Sequence, residues 1–259
     1  MKENSVLLEE LINDQIVLLT INRPEALNAI NTNVMSALNA WFTNGYKVYD
    51  NLKGVVITGS GQKAFVAGAD ITAFIDMDQD VGQGLSKFGH ETYFLIERFH
   101  IPVIAAVNGF ALGGGCELAM ACHMRVASKN ARFGQPEVNL GLIPGYGGTQ
   151  RLPQLVGKGK AMEMCLTGDM INAEQAEYFG LTNYTVEQNE LLDKSYDILY
   201  KTSKKGPLSI TKTIEAINTY YEHSTDGFEM EYKTFGELMV GKECQEGVAA
   251  FIEKRKPNF

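Results

Sequence analysis

A strand that runs into glycines and then into a helix constrains this chain more than any other feature. Residues 103–107, VIAAV, are apolar and rich in β-branched side chains, as in a buried strand. Asn108 follows, and then the stretch 109–122, GFALGGGCELAMAC. Glycine has no Cβ, so backbone at Gly113, Gly114 and Gly115 can come close to a ligand. The helix start behind them offers N–H groups with no partner inside the helix. Such a turn fits an oxygen that carries or gains negative charge. Glu117 falls in the first turn, beside that oxygen. An acid set against anion-stabilising backbone points to chemistry. Taken alone, the same glycines also fit a tight packing turn, since short glycine motifs are common.

The flanking chain alternates strand, loop and helix. Residues 15–21 predict a strand that stops at Asn22-Arg23-Pro24. A helix is expected from Asn31 or Thr32, with Val34, Leu38, Trp41, Phe42, Gly45 and Tyr49 on one face. Residues 54–58 predict the next strand, which opens into a loop from Gly59 to Asp70. Within it, Ala67-Gly68-Ala69 is a second place where backbone can approach a ligand. Leu85, Phe88, Thr92, Leu95, Ile96 and Phe99 mark another amphipathic helix. This alternation predicts an α/β fold. The unit resembles turns of a helical stack rather than a doubly wound sheet.

Past the central helix, residues 125–128 predict a short strand. Residues 133–152 are rich in glycine and proline yet apolar, which suits a cleft-lining loop better than a solvated linker. That loop carries a second carboxylate, Glu137. The last third reads as helices. Asn172 to Gln175 looks like a capping box, Gly180 a stop, and Pro207 a first-turn proline. Ile210, Ile214, Ile217 and Tyr221 are expected on one face, Asp226 and Glu229 give a further capping signal, and Val248, Phe251 and Ile252 an apolar face. We divide the chain into a mixed core, 1–200, and a helical C-terminal region, 201–259.

The net charge of −8 argues against nucleic acid or an anionic membrane as main partner. Cys116, Cys122, Cys165 and Cys244 show no metal-ligand spacing and fit small core residues in a reducing compartment. The first ten residues read neither as a secretory leader nor as a transit peptide, and no apolar run is long enough to span a membrane. We therefore expect a cytoplasmic protein. His90, His100, His123 and His223 lack zinc-site spacing and read as surface or packing residues. Asp76, Asp78 and Asp80 alternate like an ion loop but lack its glycine and distal glutamate, so a solvated acidic loop is expected and no metal site. No P-loop, dinucleotide fingerprint or nucleophile elbow is present.

Glu117 and Glu137 both sit in weakly charged, glycine-rich surroundings. Burial and a neighbouring carboxylate each raise a carboxyl pKa, and such a pair can divide acid and base roles. With N–H groups from Gly114 and the Ala67–Ala69 loop, the set suits proton transfer next to a carbonyl, or addition of water across a conjugated double bond. Spacing alone leaves open whether these loops meet.

Several runs resemble the enoyl-CoA hydratase/isomerase, or crotonase, superfamily. They are 22–30, NRPEALNAI; 64–71, AFVAGADI; 102–109, PVIAAVNG; 111–120, ALGGGCELAM; 133–137, FGQPE; 144–152, PGYGGTQRL; and the tail, 246–259. The order and coverage extend over nearly the whole chain, and the short-chain hydratases resemble it most. The resemblance implies a crotonase-type superhelix of stacked ββα turns, a helical C-terminal trimerisation region, and a homohexamer built as a dimer of trimers. It implies an oxyanion hole from the N–H groups of Ala69 and Gly114, with Glu117 activating water and Glu137 delivering the α-proton of a 2-enoyl-CoA. CoA is then part of the substrate, and no separate cofactor is implied. Ala26, Leu27, Ala67, Gly68, Asp70 and Ile71 would line its path, Gly145 would lie beside the water, and Phe251 and Lys254 would meet the adenine end. His123 and Glu25 depart from the family, which commonly has an aspartate and a basic residue there. Alternatives kept open are an isomerase or another acyl-CoA-specific sibling, and a crotonase-fold RNA-binding protein without catalysis.

Overall fold

A computed structural model describes residues 5–71, 78–220 and, beyond them, Gly241, Lys242, Cys244, Glu246, Ala250, Glu253, Lys254, Arg255 and Asn258. Two sheets run through it. The longer one has the order β1(Leu7–Ile12), β2(Ile16–Ile21), β3(Gly54–Gly59), β5(Val103–Val107), β7(Met124–Ser128) and β10(Tyr184–Val186). All its pairings are parallel except the β1–β2 hairpin. The shorter has the order β4(Ala64–Ala67), β6(Phe110–Leu112), β8(Arg132–Gly134) and β9(Ile171–Asn172).

From β3 to β8 successive strands go to alternate sheets, and a helix closes each turn. β3 and β4 lead to α2(Gln79–Glu97), β5 and β6 to α3(Gly114–Ala121), and β7 and β8 to α4(Gly148–Thr167). This is the stack of ββα turns that the sequence predicts. Strands covered on both faces become continuous apolar runs. On one face Val17, Leu19, Ile21, Val55 and Ile57 join the main core with α1(Thr32–Thr43) and α3. On the other, Ile16, Leu18, Val56 and Ile104 pack against Leu191 and Leu199 of α6(Leu191–Thr202).

Local signals explain the ends of the helices. The Asn31 side chain accepts the Val34 N–H at 3.0 Å and starts α1. Asp78 does the same for α2, accepting from Val81 at 2.9 Å, so this acid is a helix cap rather than part of a free acidic loop. Asn172 and Gln175 form the expected capping box of α5(Ala173–Tyr178), and Pro207 opens α7(Pro207–Thr219).

Three expectations are corrected. α1 ends at Thr43 and a 3-10 turn, Gly45–Val48, follows, so Gly45 and Tyr49 leave the helical stripe. The loop from Gly59 to Asp70 contains β4, and β1, β6 and β8 are further strands. The isoleucines expected on one face of α7 do not share one environment: Ile210 and Ile214 are half-buried while Ile217 is 60% exposed, and polar contacts also hold α7, Asn218 to the Glu97 carbonyl and Thr211 to the His100 carbonyl. Asp76, Tyr221, Asp226, Glu229, Val248, Phe251 and Ile252 lie outside the described residues.

Candidate active site

The short sheet delivers its chain ends to one place. β4 and β6 are parallel, with Ala67 opposite Leu112. Ala69 and Gly114 each stand two residues beyond that pair, so both leave the sheet at the same end. Segment 27–30 braces the first of them. Ala67 N–H donates to the Leu27 carbonyl at 3.1 Å, Ile30 N–H to Gly68 at 2.9 Å, and Asp70 N–H to Ile30 at 2.8 Å. No acceptor among the described residues takes the N–H of Ala69 or of Gly114. The second is braced from α2, whose buried Tyr93 hydroxyl donates to the Gly114 carbonyl at 2.8 Å.

Glu117 sits in the first turn of α3 and is 1% exposed. One oxygen, Oε1, accepts two backbone N–H groups from the glycine turn, Tyr146 at 2.8 Å and Gly148 at 2.6 Å. Burial pushes its pKa up to about 7 against the pull of the Gly148 donor; the nearby Glu137 adds to the rise, while the Tyr146 donor and Arg151 oppose it. Glu137 opens a 3-10 turn, Glu137–Leu140, just past β8. Burial raises its pKa too. The buried Gln135 amide donates to both Glu137 oxygens, at 3.0 and 3.1 Å, in the amide orientation that satisfies its neighbours. Gly113 makes room for this carboxylate: its φ is +49°, and a Cβ there would stand 2.7 Å from Glu137 Oε1.

The structure thus brings Glu117, Glu137, Gly114 and the glycine turn together. The residues expected along the CoA path form a second cluster. Ala26, Leu27, Ala67, Gly68 and Asp70 lie on two loops tied by the buried Asn28, whose amide donates to Ser60 and Ala64 carbonyls at 3.0 and 2.9 Å. Arg23 bridges the same loops, pairing with Asp70 at 3.1 Å. Ile71 is exposed there. A cavity of about 410 Å³, lined by Glu25, Leu27, Asn28, Gln62 and Lys63, opens beside them. Gly145 is half-buried in the glycine turn. Lys254 is exposed and joined to the site by no hydrogen bond or ion pair among the described residues; Phe251 is outside them.

His123 is a packing residue. Its Nδ1 accepts the Val103 N–H at 2.9 Å and its Nε2 meets the Glu97 carbonyl at 3.0 Å. Burial lowers its pKa to about 4, so the ring is neutral and Nε2 is the donor. Sequence reading passed over Tyr93, Gln135 and Arg151. A signal existed for the last: Arg151 is the first charged residue after Glu137.

Fold and site together define a class: a stack of ββα turns that sets one buried and one half-buried glutamate against a glycine-rich helix start. The chain belongs to the enoyl-CoA hydratase/isomerase family, whose profile matches residues 11–259. The short-chain-enoyl-CoA hydratase of Clostridium acetobutylicum is 41% identical over 257 residues, 99% of this chain and 97% of that one. The crotonyl-CoA hydratase of Syntrophomonas wolfei is 43% identical over 260 residues, 99% and 98% of the two chains. A crystal structure of an enoyl-CoA hydratase from Bacillus anthracis superposes with a TM-score of 0.91 at 34% identity, covering 98% of each chain. No described helix is long and apolar enough to cross a membrane.

Proposed function

We propose that the protein catalyses reversible hydration of a short-chain trans-2-enoyl-CoA to the 3-hydroxyacyl-CoA. The observation that carries this reading is the pairing of a buried glutamate, Glu117, with a half-buried one, Glu137, each with a raised pKa and each anchored on its own donors. The thioester oxygen accepts hydrogen bonds from Ala69 and Gly114 as enolate charge develops. Ionised Glu117 takes a proton from water through the oxygen that the glycine turn leaves open, and the water oxygen bonds to C3. Protonated Glu137 gives its proton to C2. The net change adds H and OH across the double bond and moves one proton from Glu137 to Glu117, which solvent exchange restores. Dehydration runs the same steps backwards.

In this reading CoA enters only as part of the substrate and no cofactor takes part. The loops carrying Ala26, Leu27, Ala67, Gly68, Asp70 and Ile71 guide it, Gly145 lies by the water, and Phe251 and Lys254 meet the adenine end. The protein assembles as a homohexamer; exposed apolar side chains at Leu140, Leu142, Ile143 and Leu166, with Ile143 74% exposed, support burial against other copies. Free cysteines support a reducing, cytoplasmic setting.

The test follows the ultraviolet band of the conjugated thioester in crotonyl-CoA. Its loss with wild type, but not with Glu137→Gln, is expected. Unimpaired hydration by Glu137→Gln overturns the mechanism. Conversion of a 3-enoyl-CoA without hydration makes the protein an isomerase instead. RNA binding at physiological salt with no thioester turnover makes it a binding protein. Light scattering reads the assembly.

A further inference from the structure

The turn that holds Glu117 has little stiffness of its own, since Gly145, Gly147 and Gly148 flank Tyr146. Its two N–H donors nonetheless converge on one carboxylate oxygen. Two groups outside the turn fix carbonyls within it, one on a donor peptide and one on the peptide between the two donor peptides. The Ser86 hydroxyl, on α2, donates to the Gly145 carbonyl at 2.6 Å. That carbonyl belongs to the peptide whose N–H, on Tyr146, donates to Glu117. The next carbonyl, on Tyr146, accepts from Nη1 of Arg151 at 3.0 Å.

Arg151 is itself held. It is 5% exposed, and its Nε and Nη2 grip the Glu97 carboxylate at 3.0 and 2.9 Å. Such a two-point pair fixes the guanidinium plane. Glu97 closes α2, and its carbonyl is tied to His123 and to Asn218. The guanidinium also lies over the Phe94 ring, 5.1 Å from its centre. The fit is close: Gly147 has φ of +104°, and a Cβ there would collide with Nη1 of Arg151.

We propose that Ser86 and the Glu97–Arg151 pair are positioning residues, which hold the 145–148 turn so that two peptide N–H groups aim at Glu117. The proposal rests on the hydratase reading for its effect on rate, but not for its effect on Glu117 itself. None of the three needs to touch substrate. They act through the peptide dipoles they orient, and Arg151 adds its charge.

Both effects favour the ionised carboxylate, so loosening either raises the Glu117 pKa. The charged groups that shift Glu117 are Glu137 past β8 and Arg151 on α4, and Glu117 in turn raises Tyr93 on α2, Tyr146 in the turn, Cys116 on α3 and Cys165 on α4, which are neutral where Glu117 titrates. Of these, Arg151 is the cation that lowers its pKa.

The experiment compares Ser86→Ala, Glu97→Gln and Arg151→Lys with wild type in two readouts. The first is the pH dependence of kcat and KM on crotonyl-CoA. The second is an infrared titration of the Glu117 carboxyl, isolated by subtracting the Glu117→Gln spectrum. We expect kcat to fall about 10- to 100-fold with KM little changed, because a small misplacement of a reacting group is costly. The Glu117 titration is expected to move upward by about half a unit to one unit. In the Glu117→Gln background, Ser86→Ala should change kcat no further. A Ser86→Ala protein with unchanged kcat and unchanged Glu117 titration overturns the proposal, even where the Arg151 variant does not fold. If wild type hydrates no enoyl thioester, the functional reading fails, while the infrared titration still decides whether these residues set Glu117.

Discussion

The two sheets share one stack but divide its labour. In the long sheet, β2 and β3 are six residues each, and every position of β3 is buried. In the short sheet, β4 has four residues, and β6 and β8 have three each. The long sheet carries the core on both its faces. The short sheet buries less, yet three of its four strands lead to a functional candidate: β4 to Ala69, β6 to Gly114, β8 to Gln135 and Glu137. Long strands fix register because a slip would move every apolar side chain to the wrong face. Once the stack is set, three residues of parallel pairing are enough to aim a chain end. Stability and chemistry are thereby separated, and substitutions should separate them too.

The largest effect should come from the ends of the short sheet. Glu117→Gln and Glu137→Gln are each expected to lower kcat for crotonyl-CoA by about 10²- to 10⁴-fold, the range for losing a general acid or base. Circular dichroism should stay near wild type, and neither variant should melt earlier than wild type. A variant that melts early and loses activity in proportion would break the division. Gly113→Ala comes next. Its Cβ would crowd Glu137 Oε1, and its positive φ disfavours any side chain. A kcat loss of about 10²- to 10³-fold is expected, similar to loss of an oxyanion donor. The remaining rate should not depend on a further Glu137→Gln change if displacement of that carboxylate is the cause.

The same division explains what the sequence revealed. Residues 103–107 and 54–58 read as strands because short apolar runs rich in β-branched residues leave few alternatives. The glycine run, the capping box at Asn172 and the two glutamates were legible as local chemistry. β4, β6 and β8 were not, because three or four residues cannot establish a period of two. Their strand character comes from pairing with distant chain, as Ala67 with Leu112 and Phe110 with Arg132. Tyr93 escaped notice because the expected stripe on α2 is centred one residue away from its buried face, where Gly89, Thr92, Tyr93 and Ile96 lie. Ile217 shows the limit of such spacing, since a helical period marks a face but not what covers it. That Glu117 and Glu137 meet follows from β6 and β8 being adjacent, a fact of topology that no local window contains.

A core substitution tests the other half. Leu19 is fully buried in β2. Leu19→Ala is expected to destabilise by about 2–5 kcal/mol in urea titrations, from lost transfer energy plus a cavity. The kcat per folded molecule should remain at the wild-type level. Stability should also report on the site through pH. The Glu117 pKa is about 7 in the folded protein, against 4.5 for a free side chain. Between these values the folded state binds the extra proton, so this contribution is fully present below about pH 4.5 and is lost as pH rises through 7. The loss amounts to about 3 kcal/mol at about 1.4 kcal/mol per pH unit. Glu117→Gln should therefore gain on wild type between about pH 5 and pH 8 in urea midpoints. Parallel curves for the two proteins would show that burial does not raise this carboxyl.

The smallest effect concerns the ends of the long sheet. β2 stops at Ile21 and feeds the loop that carries Glu25, an exposed acid beside the cavity of about 410 Å³. In the proposed function the phosphates of CoA pass near this loop, and the protein already carries a net charge of −8. Glu25 is then repulsive, unlike Glu117, whose charge is matched by two backbone donors. Glu25→Lys replaces the repulsion with attraction. An exposed charge is screened, so the gain per contact is about 0.2–1 kcal/mol. We expect KM for crotonyl-CoA to fall about two- to fivefold, kcat to stay level, and the difference to shrink in high salt. A change in kcat instead would mean that this loop reaches the chemistry, and that the long sheet is not confined to support and binding.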